Sequence, residues 1–347
     1  MKILVSRLSA MGDVAMLLPV LYSVARANPE HEFTLLTQPF LANLLIAPPS
    51  NLEAMVLDTK GEERNLWGLC LYIDRLRDEN FDLYLDLHDV LRTKLLRTAL
   101  MLSGSRVLHL SKPRSERKAL LRPEGYKDLR PLPSMPSLYR QVFAEAGLNA
   151  PTQWPPIECS ELDHSRALCS TYPEAFDGSP IVGIAPFAST ESKTYDLGLM
   201  EEVLGRLSTT GVLVYLFGGR GREATLLETW AERYPNTRSV AGRLDLGEEL
   251  ALISRLRVML SMDSANMHLA SLVGCPVVSI WCATHPSAGF LGIGQRLEDC
   301  LQNESLACRP CSIFGKVRRC IKGNMPCRQG VTSEQIVQKI SSYIKEA

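Results

Sequence analysis

The sequence predicts two α/β domains, each built on a parallel, doubly wound sheet. Short β-prone runs alternate with stretches of helical spacing, which is typical of strands joined by crossover helices. The alternation stops at a linker containing Pro151, Pro155 and Pro156 and starts again after Pro180. At 347 residues the chain is also too long for one ordinary core, so two domains of roughly 150–180 residues are expected.

The first half of the chain supplies the elements of one domain. Ile3–Val5 predicts a strand, and apolar residues at helical spacing from Val14 predict the helix that follows it. Residues 111–136 are charged and broken by five prolines, which makes them a poor place for a core element. The other expected elements are strands at 32–36, 54–57, 83–86 and 106–110, and helices near 39–46, 66–79, 93–102 and 137–146.

The second half repeats this pattern. We expect one domain over residues 1–160, a second over 161–330, and a C-terminal helix within 331–347 that packs back on the first domain. The strand ends of two such sheets would line a central cleft, where ligands bind in these folds. The expected elements are strands at 181–184, 212–217, 258–261 and 277–280, and helices at 199–207, 224–233, 246–255, 265–273 and 333–344.

Charge and hydropathy exclude several classes of partner. Basic and acidic residues number 38 each, so no overall charge favours nucleic acid as a partner. Eleven basic residues against three acids lie within 92–130, which suits an anionic partner or forms a solvated face. No apolar run approaches the roughly 18–20 residues of a membrane helix, and no signal peptide is recognisable. A cytoplasmic location is therefore expected.

A single carboxylate, Asp13, stands where the first strand gives way to the first helix. Ligands of parallel sheets bind at such strand ends. The carboxylate could act there as a general base, or it could cap the helix that follows.

Three strand ends in the second half carry groups suited to a diphosphate and a sugar. The start of a helix attracts phosphate through its free N–H groups and its dipole. Each group alone has a simpler interpretation: a solvated lysine, a glycine turn or a helix cap. A nicotinamide site is disfavoured, because no G-x-G-x-x-G follows the first strand. The groups are Ser189, Thr190 and Lys193; Gly218, Gly219 and Glu223; and Asp263, Ser264 and His268.

These stretches resemble the ADP-heptose:lipopolysaccharide heptosyltransferases of glycosyltransferase family 9, over nearly the whole chain. The resemblance implies a GT-B fold of two Rossmann-like domains, the first binding the acceptor and the second the nucleotide sugar. It rests on Arg7–Asp13 with Leu18-Pro19, on Ser189–Lys193, on Gly218-Gly219, on Asp263-Ser264 and His268 with Gly274-x-Pro276, and on Trp281–Pro286.

The resemblance further implies inverting, metal-independent transfer of a heptose from a nucleotide donor, ADP-heptose, to a lipid-linked lipopolysaccharide-core acceptor. Asp13 would be the general base, Lys193 would offset charge on the leaving diphosphate, and Glu223 would contact the ribose. Because that acceptor lies in a membrane, peripheral attachment to the cytosolic face of the inner membrane is expected. The expected donor-binding residues are Ser9, Gly12, Ser189, Thr190, Lys193, Gly218, Gly219, Glu223, Met262, Asp263, Ser264, Ala265 and His268.

The local excess of basic residues gives a hypothesis for the acceptor. Lys112, Arg114, Arg117 and Lys118 would face an anionic lipid-linked sugar. The alternative function is a catalytically silent sugar-nucleotide or lipid-sugar binding protein of the same fold, which an assay of donor hydrolysis would separate from the enzyme.

Four of the ten cysteines are grouped as C-x2-C-x8-C-x6-C: Cys308, Cys311, Cys320 and Cys327. The spacing is compatible with a structural zinc ion, and basic residues between the cysteines would offset thiolate charge. Free reduced thiols are the main alternative, and disulfides are disfavoured in a reducing compartment. No cofactor is expected for catalysis.

Overall fold

The computed structural model describes residues 1–159 and 168–345. The chain forms two compact units. The first combines Met1–Lys112 with Pro133–Ile157, and the second combines Pro113–Leu132 with Glu158–Ala347. The predicted boundary between residues 160 and 161 lies outside the described residues. In the described part of the chain, no helix is long and apolar enough to cross a membrane.

The first unit is built on a five-stranded sheet. Its strands are β1 (Lys2–Ser6), β2 (Glu32–Thr37), β3 (Leu52–Val56), β4 (Leu83–Asp86) and β5 (Arg106–His109). They are all parallel and lie in the order β3-β2-β1-β4-β5. The chain winds outward from β1 to β3 and then returns to β4 on the other side of β1. The switch point of this sheet, where ligands of such folds bind, therefore lies between β1 and β4.

The helices of the first unit cover this sheet. They are α1 (Met11–Ala27), α2 (Pro39–Ala42), α3 (Leu66–Asp78), α4 (Leu91–Leu102) and α6 (Met135–Glu145). Helix α5 (Arg114–Leu120), which lies between α4 and α6 in the sequence, belongs to the second unit. Helix α1 is buried without interruption from Val14 to Ala25 and packs against α6. A helix covered on all sides can be apolar on all sides, which explains the dense apolar sequence after Asp13.

The second unit is built on a six-stranded parallel sheet. Its strands are β6 (Ile181–Ala185), β7 (Leu213–Leu216), β8 (Thr237–Ser239), β9 (Val258–Met262), β10 (Val277–Trp281) and β11 (Cys300–Gln302). Their order is β11-β10-β9-β6-β7-β8. The switch point lies between β6 and β9, because the chain leaves β6 toward β8 and then returns to β9 on the other side of β6.

The helices of the second unit are α7 (Leu197–Ser208), α8 (Arg222–Arg233), α9 (Leu246–Ile253), α10 (Ala265–Leu272) and α11 (Ser333–Lys345). The central strands β6 and β9 are buried along their whole length, as expected of strands covered on both faces. Helix α11 packs against α7 and β9 of this same unit. This corrects the expectation that the C-terminal helix packs on the first domain, which no local feature of its sequence could decide.

The segment Pro113–Leu132 also departs from the predicted organisation. The sequence predicts that it belongs to the first domain and holds no core element, yet it joins the second unit and contains helix α5. Leu120 of this helix packs with Ala288 and Ile313 in a small buried cluster. Such contacts, made more than 150 residues away along the chain, leave no periodic signal in the segment itself.

Candidate active site

The loop after β1 holds the carboxylate of Asp13 in place. Its Oδ2 atom lies 2.5 Å from Nη2 of Arg7 and accepts a hydrogen bond of 3.1 Å from the backbone N–H of Ala10. The side chain keeps 21% of its surface exposed, against 5% for Arg7. Asp13 therefore makes the capping contact that the sequence allowed, from the third position of helix α1, and remains accessible to solvent.

Arg7 is the residue that positions this carboxylate, and the sequence analysis did not assign it a role. Its Nη1 atom donates to the carbonyl oxygen of Leu87 at 2.7 Å. Its guanidinium lies 5.9 Å from the ring centroid of Tyr139 on α6. Arg7 thereby ties the end of β1 to the residue after β4, across the switch point of the first sheet. Its position directly after the apolar strand β1, within the Arg7–Asp13 stretch, is the sequence signal that could have identified it.

His88 is a second residue that the sequence analysis missed. It follows β4, and its Nε2 atom lies 3.4 Å from Oγ of Ser9 in the Asp13 loop. Burial, together with the charges of Arg7 and Lys112, lowers the pKa of His88 to about 3. The imidazole is therefore neutral at physiological pH and supports the loop as a neutral hydrogen-bonding group.

The switch point of the second sheet carries the opposite charge arrangement. Nζ of Lys193, eight residues after the end of β6, lies 2.9 Å from Oδ2 of Asp263, the first residue after β9. The same oxygen accepts a hydrogen bond of 2.7 Å from the hydroxyl of Thr284, which follows β10. Asp263 is 7% exposed and Lys193 is 13% exposed. The structure thus brings three neighbouring strand ends together around one buried carboxylate.

The start of helix α10 adjoins this ion pair in sequence. Ser264 is its N-cap residue but makes no capping hydrogen bond with its side chain; its hydroxyl lies 3.1 Å from that of Ser261. Ala265 is the first residue of the helix, and His268 is buried in its first turn. This leaves first-turn N–H groups for which Ser264 provides no side-chain acceptor, as an anion site requires. Met262 differs from the prediction, because its side chain is fully buried in the core and accepts the N–H of Tyr195.

A distant loop packs on the Ser189–Lys193 stretch. The hydroxyl of Ser192 donates to the carbonyl of Gly315 at 2.5 Å. Gly315 has a φ of +73°, and a Cβ there would collide with the side chains of Lys193 and Thr190. Only glycine therefore allows this loop to lie against Lys193. Nothing in the motif around Lys193 predicts Gly315, since more than 100 residues separate them.

The glycine turn after β7 closes on an acidic residue. The backbone N–H of Gly219 donates to Oε2 of Glu223 at 2.7 Å. Glu223 lies in the first turn of α8, so its carboxylate stabilises the turn made by Gly218 and Gly219. A ribose that contacts Glu223, as predicted, would therefore bind a carboxylate that already accepts the N–H of Gly219.

The four predicted acceptor-binding residues differ in their surroundings. Lys112 belongs to the first unit and donates to the carbonyl of His88 at 2.5 Å. Arg117 is buried in the second unit, where its guanidinium lies 4.3 Å from the ring centroid of Phe290 and donates to the carbonyl of Ala288. The prediction for Arg117 is thus corrected: its contacts are those of a packing residue. Arg114 and Lys118 are exposed on α5.

The four grouped cysteines line one cavity of about 350 Å³ in the second unit and are free thiols. Among residues 1–159 and 168–345, no three Cys, His, Asp or Glu side chains are close enough to hold a metal ion. The four predicted zinc ligands are thus brought to one cavity, but no three of them stand in a metal-holding arrangement there. Instead, buried Arg309 donates to the carbonyls of Trp281 and Thr284, and Lys127 donates to that of Cys308. Burial raises the pKa of Cys327 to about 11.

Comparison with known proteins agrees with this fold. Glycosyltransferase family 9 (heptosyltransferase) matches residues 72–316 of the chain. Lipopolysaccharide heptosyltransferase 1 of Pseudomonas aeruginosa is 23% identical over 320 residues, spanning 90% of this chain and 86% of that protein.

Two solved structures extend the comparison. A glycosyl transferase family 9 protein from Veillonella parvula has a TM-score of 0.77 at 17% identity, covering 100% of this chain and 98% of that one. The E. coli heptosyltransferase WaaC, solved with ADP-2-deoxy-2-fluoro heptose, has a TM-score of 0.68 at 16% identity and covers 99% of both chains. These likenesses confirm the predicted fold class, two parallel-sheet α/β domains of the GT-B type.

Proposed function

Because the chain belongs to glycosyltransferase family 9, the heptosyltransferases, we propose that it moves a heptose from ADP-heptose to a lipid-linked acceptor of the lipopolysaccharide core. The chain is a glycosyltransferase of the heptosyltransferase type. The transfer inverts the anomeric centre and uses no catalytic metal. One observation carries the mechanism: the Asp13 carboxylate stands at the switch point of the first sheet, held by Arg7 and by the N–H of Ala10.

The donor end of the proposal rests on the second unit. Lys193 and the start of α10 supply positive charge for a diphosphate, with Ser264 and His268 beside it. WaaC, whose fold is similar, was solved with an ADP-linked fluoroheptose, and this supports ADP-heptose as the donor here. Glu223 would contact the ribose with the carboxylate that also closes the glycine turn.

The proposed chemistry is a single displacement. Asp13 removes the proton from an acceptor hydroxyl as its oxygen attacks the anomeric carbon, and the bond from that carbon to the diphosphate breaks on the opposite face. ADP leaves with the bonding electrons. Lys193 and the N–H groups of α10 offset the charge that develops on the leaving group. General-base assistance of this kind contributes about 10²–10⁴ in rate.

The acceptor and the location follow from the same proposal. The name of the P. aeruginosa relative refers to lipopolysaccharide, which supports a lipid-linked, anionic acceptor. An enzyme acting on such an acceptor works at the cytosolic face of the inner membrane as a peripheral protein. Exposed Arg114 and Lys118 are the remaining candidates for contacting the anionic groups of that acceptor.

The test is the Asp13→Asn variant, assayed for ADP release and for the mass of the glycosylated acceptor. We expect transfer to fall by about 10²–10⁴ while the Kd for ADP stays unchanged. Asp245→Asn is the matched control, because Asp245 caps α9 through the N–H of Glu248 and lies in no proposed site. Transfer by Asp13→Asn at the wild-type rate would exclude Asp13 as the base. A wild-type protein that binds ADP-heptose but never turns it over would identify the silent binding protein instead.

A further inference from the structure

Helix α4 presents an apolar face to solvent. Its buried side carries Thr93, Leu96 and Leu100. Residues four, three and four positions apart lie on the opposite side: Leu91, Leu95, Thr98 and Leu102, called here the leucine face. Leu91 and Leu102 are each 77% exposed, and Leu95 is also exposed. The outer side of a surface helix normally carries polar residues, so this arrangement needs an explanation.

A second apolar group lies beside the start of this helix. Leu66 and Trp67 begin α3, and Trp67 is 75% exposed. The guanidinium of Arg92 donates to the carbonyl oxygens of Glu63 and Arg64 at 2.9 and 3.1 Å. These bonds fix the residues just before α3 to the first turn of α4. The two helix starts are therefore held near each other, and each exposes apolar side chains to solvent.

Helix α4 itself is basic. No acidic residue occurs between Val90 and Ser115, and α4 itself contains Arg92, Lys94 and Arg97. Asp86 and Asp89, which precede the helix, lie 3.6–3.8 Å from Lys94 and Arg97. The helix and these two aspartates together carry three basic side chains against two carboxylates, a net charge of +1. The helix thus combines leucines facing solvent with a net positive charge.

We propose that the leucine face of α4, together with Leu66 and Trp67, docks on an anionic lipid surface. Exposed leucines on a basic helix, with an exposed tryptophan at the start of the neighbouring helix, are features by which a protein surface lies in the interface of a membrane. Basic residues are attracted to anionic headgroups. A second copy of this chain would bring the same positive charge to the contact and be repelled, so charge complementarity favours lipid over self-association.

The position of this surface connects it to the candidate active site. Helix α4 begins three residues after His88, whose ring lies 3.4 Å from Ser9 in the loop of Asp13. The N-terminal end of the leucine face and the Asp13 loop therefore lie at the same edge of the first sheet. In this respect the inference rests on the proposed function: docking would bring the Asp13 loop to the level at which a lipid-linked acceptor hydroxyl is presented.

Sedimentation with vesicles tests the inference on the full chain. We expect the protein to pellet with vesicles of phosphatidylglycerol and phosphatidylethanolamine, and at least tenfold less with phosphatidylcholine alone. The triple variant Leu91→Gln/Leu95→Gln/Leu102→Gln should bind the anionic vesicles at least tenfold more weakly. The control Leu297→Gln/Ile321→Gln removes comparably exposed apolar residues from the second unit and should bind as the wild type does.

Further measurements keep the outcomes distinct. A thermal melt of each variant checks folding, and Lys94→Gln gives a second, single change that should weaken anionic-vesicle binding severalfold. Equal sedimentation of wild type and triple variant would overturn the inference, as would no sedimentation of the wild type. A wild-type dimer that the triple variant converts to a monomer, with unchanged vesicle binding, would identify a second copy as the occupant. Turnover of ADP-heptose without vesicle binding would contradict only the proposed docking surface. Vesicle binding without turnover would contradict only the proposed function.

Discussion

The two switch points share one topology and display opposite charges. In the first unit, buried Arg7 holds the more exposed carboxylate of Asp13. In the second, buried Asp263 holds the more exposed ammonium of Lys193. In each pair the more deeply buried side chain fixes the position of its partner, and the partner keeps more of its surface accessible to solvent. The sheet thus determines where a charged side chain stands, while the loop residues determine the sign of the charge that it carries.

Among the variants that test this comparison of the two ion pairs, we expect the largest effect on kcat from a change in the Lys193–Asp263 pair. Lys193→Met removes the positive charge while leaving Asp263 in place. We expect kcat for ADP release to fall by about 10²–10³, the size seen when one preorganised contact to a developing charge is lost. The Kd for ADP should rise as well, in contrast to Asp13→Asn. Lys60→Met changes an exposed lysine of the first unit and should leave both values unchanged. An unaltered kcat for Lys193→Met would mean that the two pairs are not functional counterparts.

Arg7 tests the positioning role in the first pair. Arg7→Met removes the contact at 2.5 Å that holds Asp13, and we expect kcat to fall about 10–100-fold with little change in the donor KM, because misplacement of a catalytic group by about 1 Å costs about 10². Arg7→Lys, which can still form an ion pair, should recover part of that loss. Kinetics at saturating donor, with a thermal melt beside them, separate positioning from unfolding. If Arg7→Met loses stability but keeps kcat, the arginine is only structural.

Each unit also holds a histidine that follows a strand and has a lowered pKa, and these two offer a comparison in stability: His88 is buried and His285 is partly buried. The pKa of His88 is lowered to about 3, mainly by burial, and that of His285 to about 4. Below pH 6.5 each of these histidines binds a proton in the unfolded chain but not in the folded one, so acid destabilises each unit. At pH 7 both states are neutral at these positions, and this loss of stability is absent. His88→Gln should reduce the stability lost between pH 6.5 and 5 by about 2 kcal/mol in urea unfolding. His109→Gln, at an exposed position, should change nothing.

The smallest effect concerns the acceptor. Arg114→Glu combined with Lys118→Glu should raise the acceptor KM about 3–10-fold, since exposed charges interact weakly, and leave the Kd for ADP unchanged. Arg117→Ala is the informative companion, because the buried guanidinium packs on Phe290. It should lower the melting temperature without changing the acceptor KM. The reverse pattern, a raised KM only for Arg117→Ala, would restore that residue to the acceptor site.

Those features of the fold and of the candidate site that depend on local pattern could be predicted from the sequence. Alternating apolar runs predicted both sheets, and the residues after β1, β6 and β9 identified Asp13, Lys193 and Asp263. The sequence could not provide the groups whose partners are distant along the chain. His88 and Gly315 each act through a contact with a loop about 80 or more residues away. Met262 shows the complementary error: it belongs to a motif, but its side chain points into the core.

For a related reason, the local sequence pattern was insufficient for the grouped cysteines and for the basic segment. Spacing brought Cys308, Cys311, Cys320 and Cys327 to one cavity but could not specify the metal geometry. Likewise, a run of basic residues did not distinguish buried Arg117 from exposed Arg114. Burial is decided by what packs against a residue from elsewhere, and this is the information that a local pattern lacks.

The membership of residues 113–132 in the second unit means that the polypeptide passes from one unit to the other three times. A recombinant fragment beginning at residue 158 would consequently lack Leu120, Lys127 and the rest of that segment, and the wall formed by Ala288 and Ile313 would be bare. Neither half can be obtained by a single cut. Whoever wishes to express the second unit alone will need to graft the missing stretch back through an artificial connection or to permute the termini.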